Sequence, residues 1–334
     1  MSEKNGRTIE FSGVYVQSSA AVGGKKEGEG PMKNCFDRIF EDEYLKEDSF
    51  EKAESMLQKE ALQYALSKAG VEAEALDYIF AGDLLNQCIG SSFGIRDMGV
   101  PFIGLYGACS TMALSAGVAA QFVDSGSAKL AAAVTSSHFC SAERQFRYPL
   151  EYGNQRTPTS QWTATAAGAL LLGCSHTNVE ISHYTAGEIV DLGVKDANNM
   201  GAAMAPAACS TLLHFFADTG LTPNDFDVIF TGDLGYVGSD LLYTLTEKEG
   251  LDIKQRHMDC GKLMYDRVKQ DVHAGGSGCG CVGSIIAGHI IPKIHGGEFK
   301  SVLVCGTGAL LSTVSTQQGE SIPSIAHVIA LRQA

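Results

Sequence analysis

One cysteine occupies a position where a thiol could act as a nucleophile. Cys109 follows a short, mostly apolar stretch, residues 100–106, and precedes residues 112–123, which are rich in small and apolar side chains. This order predicts a strand, a tight turn that contains Cys109, and a buried helix. The N–H groups and the dipole of a first helical turn both favour a thiolate. The alternative is an inert structural cysteine, because free cysteines are often buried.

Two histidines could serve acid–base chemistry or bind an anion. His138 ends residues 131–138, a stretch typical of a strand that leads into a loop. It could titrate near neutral pH beside a carboxylate, or its ring could be satisfied by backbone groups. His273 precedes a glycine-rich stretch whose N–H groups could form an anion site. Its alternative role is to cap a loop.

Two arginines lie three residues apart in a polar segment. Arg144 and Arg147 share one face of that segment if it is helical. Guanidinium groups bind carboxylates with two parallel hydrogen bonds, so the pair could hold a dicarboxylate. Ion pairs at the surface are the more common use of such arginines.

Neither the paired cysteines nor the paired aspartates predict a metal centre. Cys279 and Cys281 have no Cys or His neighbours at zinc spacing, so we expect them to pack a helix start tightly. Asp83 and Asp233 each follow a glycine at the end of a predicted strand. They could form a carboxylate pair, and helix N-caps are the interpretation we prefer. The sequence has no Asp-rich loop of the kind that binds calcium, so we expect any calcium to arrive with a ligand.

The elements that must position these residues occur twice along the chain. Residues 76–84 read LDYIFAGDL and residues 226–234 read FDVIFTGDL, and each copy follows a helical stretch that ends at a glycine. Residues 107–134 and 278–304 repeat a turn, helix, turn and strand more weakly. We therefore predict an α/β protein with two similar halves, residues 1–175 and 176–334. The first half carries Cys109 and a long loop over residues 139–162, and ligands should bind near the carboxyl ends of the strands.

Composition narrows the classes of function. The chain has 334 residues and a formal net charge of −13, without a basic stripe, so we expect no nucleic-acid partner. Ten cysteines in a chain of this length indicate free thiols in a reducing compartment. The polar start predicts no signal peptide, and the longest apolar run considered, residues 164–174, is too short to span a membrane.

These motifs together resemble the thiolase fold and, within it, the stage V sporulation protein AD family. The segments that carry the resemblance are residues 104–111, 135–138, 142–149, 273–281 and 306–312. The resemblance implies two pseudo-symmetric halves in a five-layer αβαβα arrangement. It also implies a homodimer that forms through the sheet edge of the first half.

The resemblance also implies a role in spore-forming bacteria. The family is associated with SpoVA membrane proteins, which move dipicolinic acid (pyridine-2,6-dicarboxylic acid), alone or as its calcium chelate, into the developing spore. This chain would be the soluble component, peripheral to the forespore inner membrane on its cytoplasmic side, with no cofactor and no metal site of its own. The candidate ligand-binding residues are Cys109, His138, Arg144, Arg147, His273, Cys279 and Thr307.

The alternative function is acyl transfer through Cys109, as in thiolases and ketoacyl synthases. Such enzymes need a histidine with an asparagine or second cysteine beside the nucleophile. Ketoacyl synthases carry the histidine at the end of the strand that here ends in Gly232-Asp233, and a further histidine or asparagine in the segment that here spans residues 276–281. Neither is present; only Cys305 fits the place of the later thiolase cysteine. We therefore expect a binding protein rather than an enzyme, and a scaffold that only docks onto SpoVA proteins is a third hypothesis.

Overall fold

Two sheets of five strands each form the frame of the molecule. This computed structural model describes residues 4–146 and 155–334, which contain fifteen strands. The strands are β1 (Lys4–Asn5), β2 (Thr8–Glu10), β3 (Tyr15–Gly24), β4 (Arg38–Phe40), β5 (Tyr78–Gly82), β6 (Phe102–Gly104), β7 (Leu130–Ser137), β8 (Trp162–Thr163), β9 (Ala166–Gly173), β10 (Val179–Thr185), β11 (Val228–Thr231), β12 (His257–Asp259), β13 (Gly276–Ser277), β14 (Ser301–Ala309) and β15 (Ser324–Gln333).

Helices cover both faces of these sheets and fill the space between them. In the same described residues the α-helices are α1 (Lys25–Gly28), α2 (Phe50–Ala69), α3 (Ile89–Ile95), α4 (Thr111–Asp124), α5 (Phe139–Phe146), α6 (Met200–Thr219), α7 (Gly235–Lys248), α8 (Cys260–Met264), α9 (Cys279–Ile285), α10 (Ile291–His295) and α11 (Thr313–Gln317). A π-helical turn (Ile286–Ile290) joins α9 to α10.

The two sheets have the same plan. Their strand orders are β6-β5-β7-β9-β3 and β12-β11-β14-β15-β10. In each sheet the first three strands are parallel and the other two join in antiparallel fashion. A single residue pair, Tyr15 with Glu180, connects the sheets through β3 and β10. The duplication read from the sequence therefore extends to strand pairing, although β2 also pairs with β10 and ties the start of the chain to the second sheet.

The helices complete the predicted five layers. Helix α2 packs on the outer face of the first sheet, and α6 and α7 lie on the outer face of the second. Helices α4 and α9 contact each other in the middle layer, where α4 touches strands of both sheets. One apolar cluster fills this central layer and two others fill the outer layers. The middle layer thus brings the start of α4, next to Cys109, close to the start of α9.

The outer helices show why the sequence folds alike in the two halves. Helices α2 and α6 are each 20 residues long and start after Ser49 and Asn199, whose side chains accept a hydrogen bond from the first turn. Both end at a glycine in the left-handed conformation, Gly70 with φ 67° and Gly220 with φ 69°. Apolar residues at helical spacing predict a helix over residues 51–68, and α2 confirms it.

Two equivalent aspartates, Asp77 and Asp227, hold the starts of neighbouring strands together in the two sheets. Asp77 accepts hydrogen bonds from the backbone N–H groups of Lys129 and Leu130, at 2.6 and 3.1 Å. Asp227 accepts equivalent bonds from residues 300 and 301, at 2.6 and 3.2 Å. The repeated sequence therefore reproduces individual contacts as well as elements.

The glycines and charged residues of residues 23–30 predict a loop, and the structure shows that this prediction is wrong. Residues 23 and 24 end β3, and the following residues form α1. A Cβ on Gly23 would lie 2.8 Å from the ring of Phe36, and one on Gly28 would lie 2.7 Å from Ile39. These two glycines are needed because neighbouring side chains pack directly against the backbone.

Among the described residues, one helix is long and apolar enough to cross a membrane. This helix is α6, and it is longer than the apolar run, residues 164–174, that was considered from the sequence. Most of its residues are buried against α7, β14 and β15 in the outer core of the second half. This packing is typical of a core helix of a globular protein.

Candidate functional site

A strained turn places Cys109 at the start of α4. Ala108, the residue before it, has φ 50°, a conformation that non-glycine residues rarely adopt. The backbone N–H groups of Ser110 and Thr111 close the turn by donating to the carbonyls of Gly107 and Ala108. The turn holds Cys109 in the interior, where its side chain is only 5% exposed.

Cys109 faces a serine and an aspartate from the second half. Its Sγ lies 3.8 Å from Oγ of Ser277. That hydroxyl donates to Oδ2 of Asp233 at 2.9 Å, and the backbone N–H of Gly278 donates to the same oxygen at 2.8 Å. Cys109, Ser277 and Asp233 thus form one buried polar group, although the first is 168 residues from the second along the chain.

Thr307 belongs to the same group. Its hydroxyl donates to Oδ1 of Asp233 at 2.9 Å and accepts from the backbone N–H of Asp233 at 3.1 Å. The carboxylate of Asp233 therefore joins three segments, the strand end of β11, the glycine-rich start of α9 and β14. We call Cys109, Asp233, Ser277 and Thr307 the Cys109 centre.

The interpretation of Asp233 as a helix N-cap is wrong. Helix α7 has no side-chain cap from its own N-cap residue, Leu234. The carboxylate of Asp259, at the end of β12, accepts instead from the N–H groups of Leu234 and Gly235, at 2.9 and 3.0 Å. Asp259 takes over the start of α7, and this leaves the side chain of Asp233 free to turn toward Cys109.

Burial decides the protonation of the centre. The pKa of the Cys109 thiol is raised well above its usual value, first by burial and then by the negative charge of Asp233. Burial also raises the pKa of Asp233, and burial with the neighbouring Asp233 raises the pKa of Asp259 to about 7. The thiolate expected from the helix start is therefore disfavoured, because desolvation outweighs the helix dipole.

Cys279 lies on the other side of Cys109. It is fully buried, and its Sγ donates to the carbonyl of Ser136 at 3.0 Å. An apolar cluster of Leu84, Ala108, Cys109, Ala142 and Cys279 closes over the centre. Cys281 packs in the central core. Among the described residues no group of three or more His, Cys, Asp or Glu side chains is placed to hold a metal ion.

The first half contributes two further buried acids near the centre. Asp83 accepts from the N–H groups of Leu85 and Ser91 and from the hydroxyl of Ser91, at 2.8, 2.7 and 2.5 Å. Glu54 on α2 accepts from the hydroxyl of Ser141 at 2.5 Å, while its Oε1 has no hydrogen-bond partner among the described residues. Burial raises the pKa of both carboxyls. Both groups therefore favour the neutral form more than an exposed carboxyl does.

His138 is satisfied by backbone groups. Its Nε2 donates to the carbonyl of Glu43 at 2.8 Å, and its Nδ1 accepts from the N–H of Cys140 at 3.2 Å. Burial lowers its pKa, so the ring stays neutral. The structure does not bring His138 into hydrogen-bond contact with the Cys109 centre.

His273 and Arg144 lie outside the centre. Nδ1 of His273 donates to the carbonyl of Thr157 at 2.8 Å, which corresponds to loop capping, and Nε2 lies 3.1 Å from Asp271. Arg144 forms an exposed ion pair with Glu51 at 3.1 Å. Arg147 lies outside the described residues.

Arg144 nevertheless lines an open groove. The groove has a volume of about 220 Å³ and is lined by Glu51, Leu85, Asn86, Gln87, Ile89, Ser141, Arg144 and Gln145. Ser141 connects it to Glu54, and the next residue, Ala142, belongs to the cluster that covers Cys109. The groove thus adjoins that cluster in sequence at Ser141 and Ala142, while Cys109 is buried and does not line it.

Sequence reasoning missed the roles of Asp233 and Ser277. The sequence held a signal for both residues. By the resemblance to ketoacyl synthases, a histidine is expected in the segment of Asp233, and a histidine or asparagine is expected in the segment of Ser277. The residue types at these two positions predict that Cys109 lacks the partners of a nucleophile. The structure shows that the hydroxyl of Ser277 lies beside Cys109 and donates to the carboxylate of Asp233.

Comparisons with known proteins agree with this geometry. The sequence profile of the family "Stage V sporulation protein AD (SpoVAD)" matches residues 5–332. Stage V sporulation protein AD of Bacillus subtilis (strain 168) is 40% identical over 321 residues, which cover 96% of this chain and 95% of that relative.

Solved condensing enzymes share the fold. A 3-oxoacyl-[acyl-carrier-protein] synthase III from Aquifex aeolicus VF5 aligns with a TM-score of 0.59 at 14% identity, over 96% of this chain and 100% of that one. OleA from Xanthomonas campestris aligns with a TM-score of 0.62 at 13% identity, over 97% of this chain and 99% of that one. These likenesses establish the thiolase-like α/β fold that the sequence predicts, and the chain belongs to the stage V sporulation protein AD family.

Proposed function

We propose that this sporulation protein binds dipicolinic acid, as the free acid or its calcium chelate, for uptake into the forespore, as the soluble component of the SpoVA system. Membership in the stage V sporulation protein AD family supports a role in sporulation. The observation that carries a binding role is that Cys109 contacts Ser277 and Asp233 rather than a histidine. The Cys109 centre is the proposed site.

The centre is poorly suited to nucleophilic catalysis. A reactive cysteine needs a lowered thiol pKa and a base in contact. Cys109 has a raised thiol pKa, and within residues 4–146 and 155–334 its hydrogen-bonding neighbours are Ser277 and Asp233. His138 and His273 make their hydrogen bonds elsewhere.

The buried acids favour one form of the ligand. Asp233 belongs to the centre, and Asp83 and Glu54 lie near its neighbour Cys279, so a dipicolinate dianion would meet carboxyl groups in a region of low dielectric. Burying an uncompensated charge is costly. The calcium chelate is neutral overall, and the hydroxyls of Ser277 and Thr307 can hydrogen-bond to its carboxylates. We therefore favour the chelate, with calcium carried by the ligand.

The groove beside Arg144 offers a route to the centre. Arg144 is about half exposed and faces Glu51, so its guanidinium can exchange one carboxylate partner for another. An incoming dicarboxylate would meet Arg144 before it meets Cys109. Displacement of the apolar cluster over Cys109 would then complete binding.

Titration calorimetry with dipicolinate tests this proposal. We expect saturable heat in the presence of calcium, and at least tenfold weaker binding by Cys109→Ala. Cys174→Ala is the matched control, because Cys174 is exposed and removing its thiol should leave the affinity unchanged. Absence of saturable heat with and without calcium would overturn the proposal, and equal affinities of both variants and wild type would remove the site from Cys109.

Acyl transfer is the second candidate, and one observation favours it. The ring of His327 lies near the Cys109 turn, because a Cβ on Gly107 would lie 3.7 Å from its Nε2. Burial lowers the pKa of His327 to about 4, so the ring is neutral, and Nδ1 accepts from the backbone N–H of Gly187 at 3.3 Å. Nε2 therefore carries the ring proton and could donate a hydrogen bond to an acyl oxygen at Cys109. Turnover of an acyl-coenzyme A that is lost in both Cys109→Ala and His327→Ala would establish this activity in place of simple binding.

We also propose a homodimer that forms through the free edge of β6. This strand ends the first sheet, and Phe93, Phe102 and Tyr106 expose aromatic rings beside it. An exposed strand edge with apolar neighbours is a common pairing site. Light scattering should give twice the mass of one chain, and Phe102→Asp should shift the protein to the monomer.

A further inference from the structure

The loop between α8 and β13 presents an apolar side chain between two cations. Val268 is 88% exposed, the highest exposure among the large apolar side chains of the described residues. Arg267 and Lys269 flank it and are exposed. The carboxylate of Asp266 accepts from the N–H groups of Val268 and Lys269, at 3.1 and 3.0 Å. These bonds close a turn that keeps Val268 pointing outward.

Further cations converge behind this loop. Nζ of Lys26 donates to the carbonyl of Gln270 at 2.7 Å, and Arg156 donates to the carbonyl of Asp271 at 3.0 Å. Nζ of Lys262 lies 5.3 Å from the ring centre of Tyr236. We call Lys26, Arg156, Lys262, Arg267, Val268 and Lys269 the basic loop surface.

Two aromatic rings lie within this surface. Arg267 lies over Tyr236 at 4.2 Å, and Lys26 lies over the indole of Trp162 at 3.8 Å. Arg156 approaches the same indole at 4.8 Å. Amphipathic aromatic rings beside lysine and arginine are typical of the boundary between a bilayer and water.

The charge of this surface contrasts with that of the whole chain. The chain carries a net charge of −13, yet five cations gather here beside three exposed or half-buried acids, Glu29, Asp266 and Asp271. We propose that the basic loop surface docks on an anionic phospholipid bilayer, with Val268 inserted among the headgroups. The cations supply the attraction to anionic lipid, and the valine supplies the apolar contact.

This surface is joined to the Cys109 centre by one short pair of strands. Trp162 in β8 pairs with Gly276 in β13, and the next residue along β13 is Ser277. Docking would therefore bring the centre close to the membrane. The proposal does not depend on dipicolinate, since vesicle binding can be measured without any ligand.

The tryptophan provides the measurement, because Trp162 is the single tryptophan of the chain. Vesicles of phosphatidylglycerol and phosphatidylcholine in equal parts should shift its emission to the blue, and brominated lipid in the same vesicles should quench it. Vesicles of phosphatidylcholine alone should have little effect. No binding to the anionic vesicles, or equal binding to both kinds, would overturn the proposal.

Charge reversal tests which face binds. Arg267→Glu/Lys269→Glu should weaken partitioning onto the anionic vesicles by about 30-fold or more, because two attractive charges are removed. Lys129→Glu/Lys300→Glu is the matched control, since it changes the net charge equally at the opposite strand ends. Equal losses in the two double variants would show a nonspecific charge effect and overturn the assignment.

A neutral change tests the insertion separately. Val268→Ser should weaken partitioning by roughly tenfold, because one apolar side chain no longer leaves water on binding. Val314→Ser is the control, since Val314 is 59% exposed on α11. A Val268→Ser variant that binds like wild type would refute insertion, and this outcome can be read even if the charge variants do not fold.

Discussion

Asp83 and Asp233 end equivalent strands of the two halves, yet their carboxylates bind different kinds of partner. Asp83 accepts hydrogen bonds from residues two and eight positions along the chain. Asp233 accepts from Ser277, Gly278 and Thr307, which lie 44, 45 and 74 positions away. The first half uses its aspartate to close a local loop, whereas the second half uses it to join distant segments at Cys109.

The difference arises because another acid, Asp259, accepts the hydrogen bonds at the start of the helix that follows Asp233. Asp259 accepts from the N–H groups at the start of α7, so the Asp233 side chain can turn into the middle layer. In the first half Asp83 itself holds the segment that leads into α3. A duplicated motif can therefore gain a new role in one copy when a neighbouring side chain takes over the old one.

The largest expected effect is the loss of the Asp233 carboxylate. Asp233→Ala leaves three buried donors without an acceptor, at about 1–3 kcal/mol each. We expect the free energy of unfolding in urea to fall by roughly 5 kcal/mol and calcium dipicolinate binding to be lost. Asp83→Ala also removes three accepted bonds, so it should cost similar stability while binding persists.

The milder variant Asp233→Asn keeps the test possible if the alanine variant does not fold. It retains one acceptor oxygen and should still lower dipicolinate affinity. If Asp83→Ala lost binding as completely as the Asp233 variants, the distinction between a local and a joining aspartate would be wrong.

The second effect is a pH dependence that belongs to the second half. Folding raises the pKa of Asp259 to about 7, from about 4 in the unfolded chain. Both states are protonated below about pH 4; as the pH rises to 7 only the unfolded state releases its proton, so stability is lost over this window. Relative to Asp259→Asn, wild type should lose on the order of 3 kcal/mol between pH 5 and pH 8.

Urea unfolding of both proteins at pH 5, 6 and 8 measures that difference. Burial also lowers the pKa of histidines such as His257 and His327, and they titrate in both proteins. Their contribution to the pH dependence of stability therefore cancels when the two proteins are compared. A difference that stays constant across the range would show that Asp259 has no raised pKa in the folded protein.

The third effect compares two equivalent glycines. A Cβ on Gly82 would lie 2.0 Å from the carbonyl oxygen of Leu105, which is fixed backbone. A Cβ on Gly232 would meet Val282 and the N–H of Thr307 at 3.0 Å. We expect Gly82→Ala to cost about 3 kcal/mol and Gly232→Ala about 1 kcal/mol in thermal or urea unfolding. If Gly232→Ala cost more stability than Gly82→Ala, the backbone around Gly82 would shift more easily than its packing indicates.

The smallest effect concerns the serines that serve the two aspartates. Ser277→Ala and Ser91→Ala each remove one hydroxyl that donates to a buried carboxyl. Each should lower the free energy of unfolding by about 1–2 kcal/mol. Only Ser277→Ala should also change the alkylation rate of Cys109, read by mass spectrometry against the exposed Cys174. An equal change in the Ser91→Ala variant would argue against direct contact between Ser277 and Cys109.

Local pattern was enough to predict much of the fold. The repeat at residues 76–84 and 226–234, the helix over residues 51–68 and the turn before α4 follow from periodicity, glycines and helix caps, which act over a few residues. The same motifs were enough to indicate the family. The loop predicted over residues 23–30 is wrong, because Gly23 packs against the ring of Phe36 and Gly24 packs against Glu27 and Thr165, and these contacts are not visible in the local pattern.

Only the tertiary structure decided which residues form the site. Cys279 and Thr307 reach Cys109 or its aspartate, while His138, Arg144 and His273 bind other partners. Sequence by itself placed Cys109 at the start of a helix and could favour a thiolate there. Burial and Asp233 reverse that preference, because desolvation and the charges of distant segments depend on how the two halves pack together.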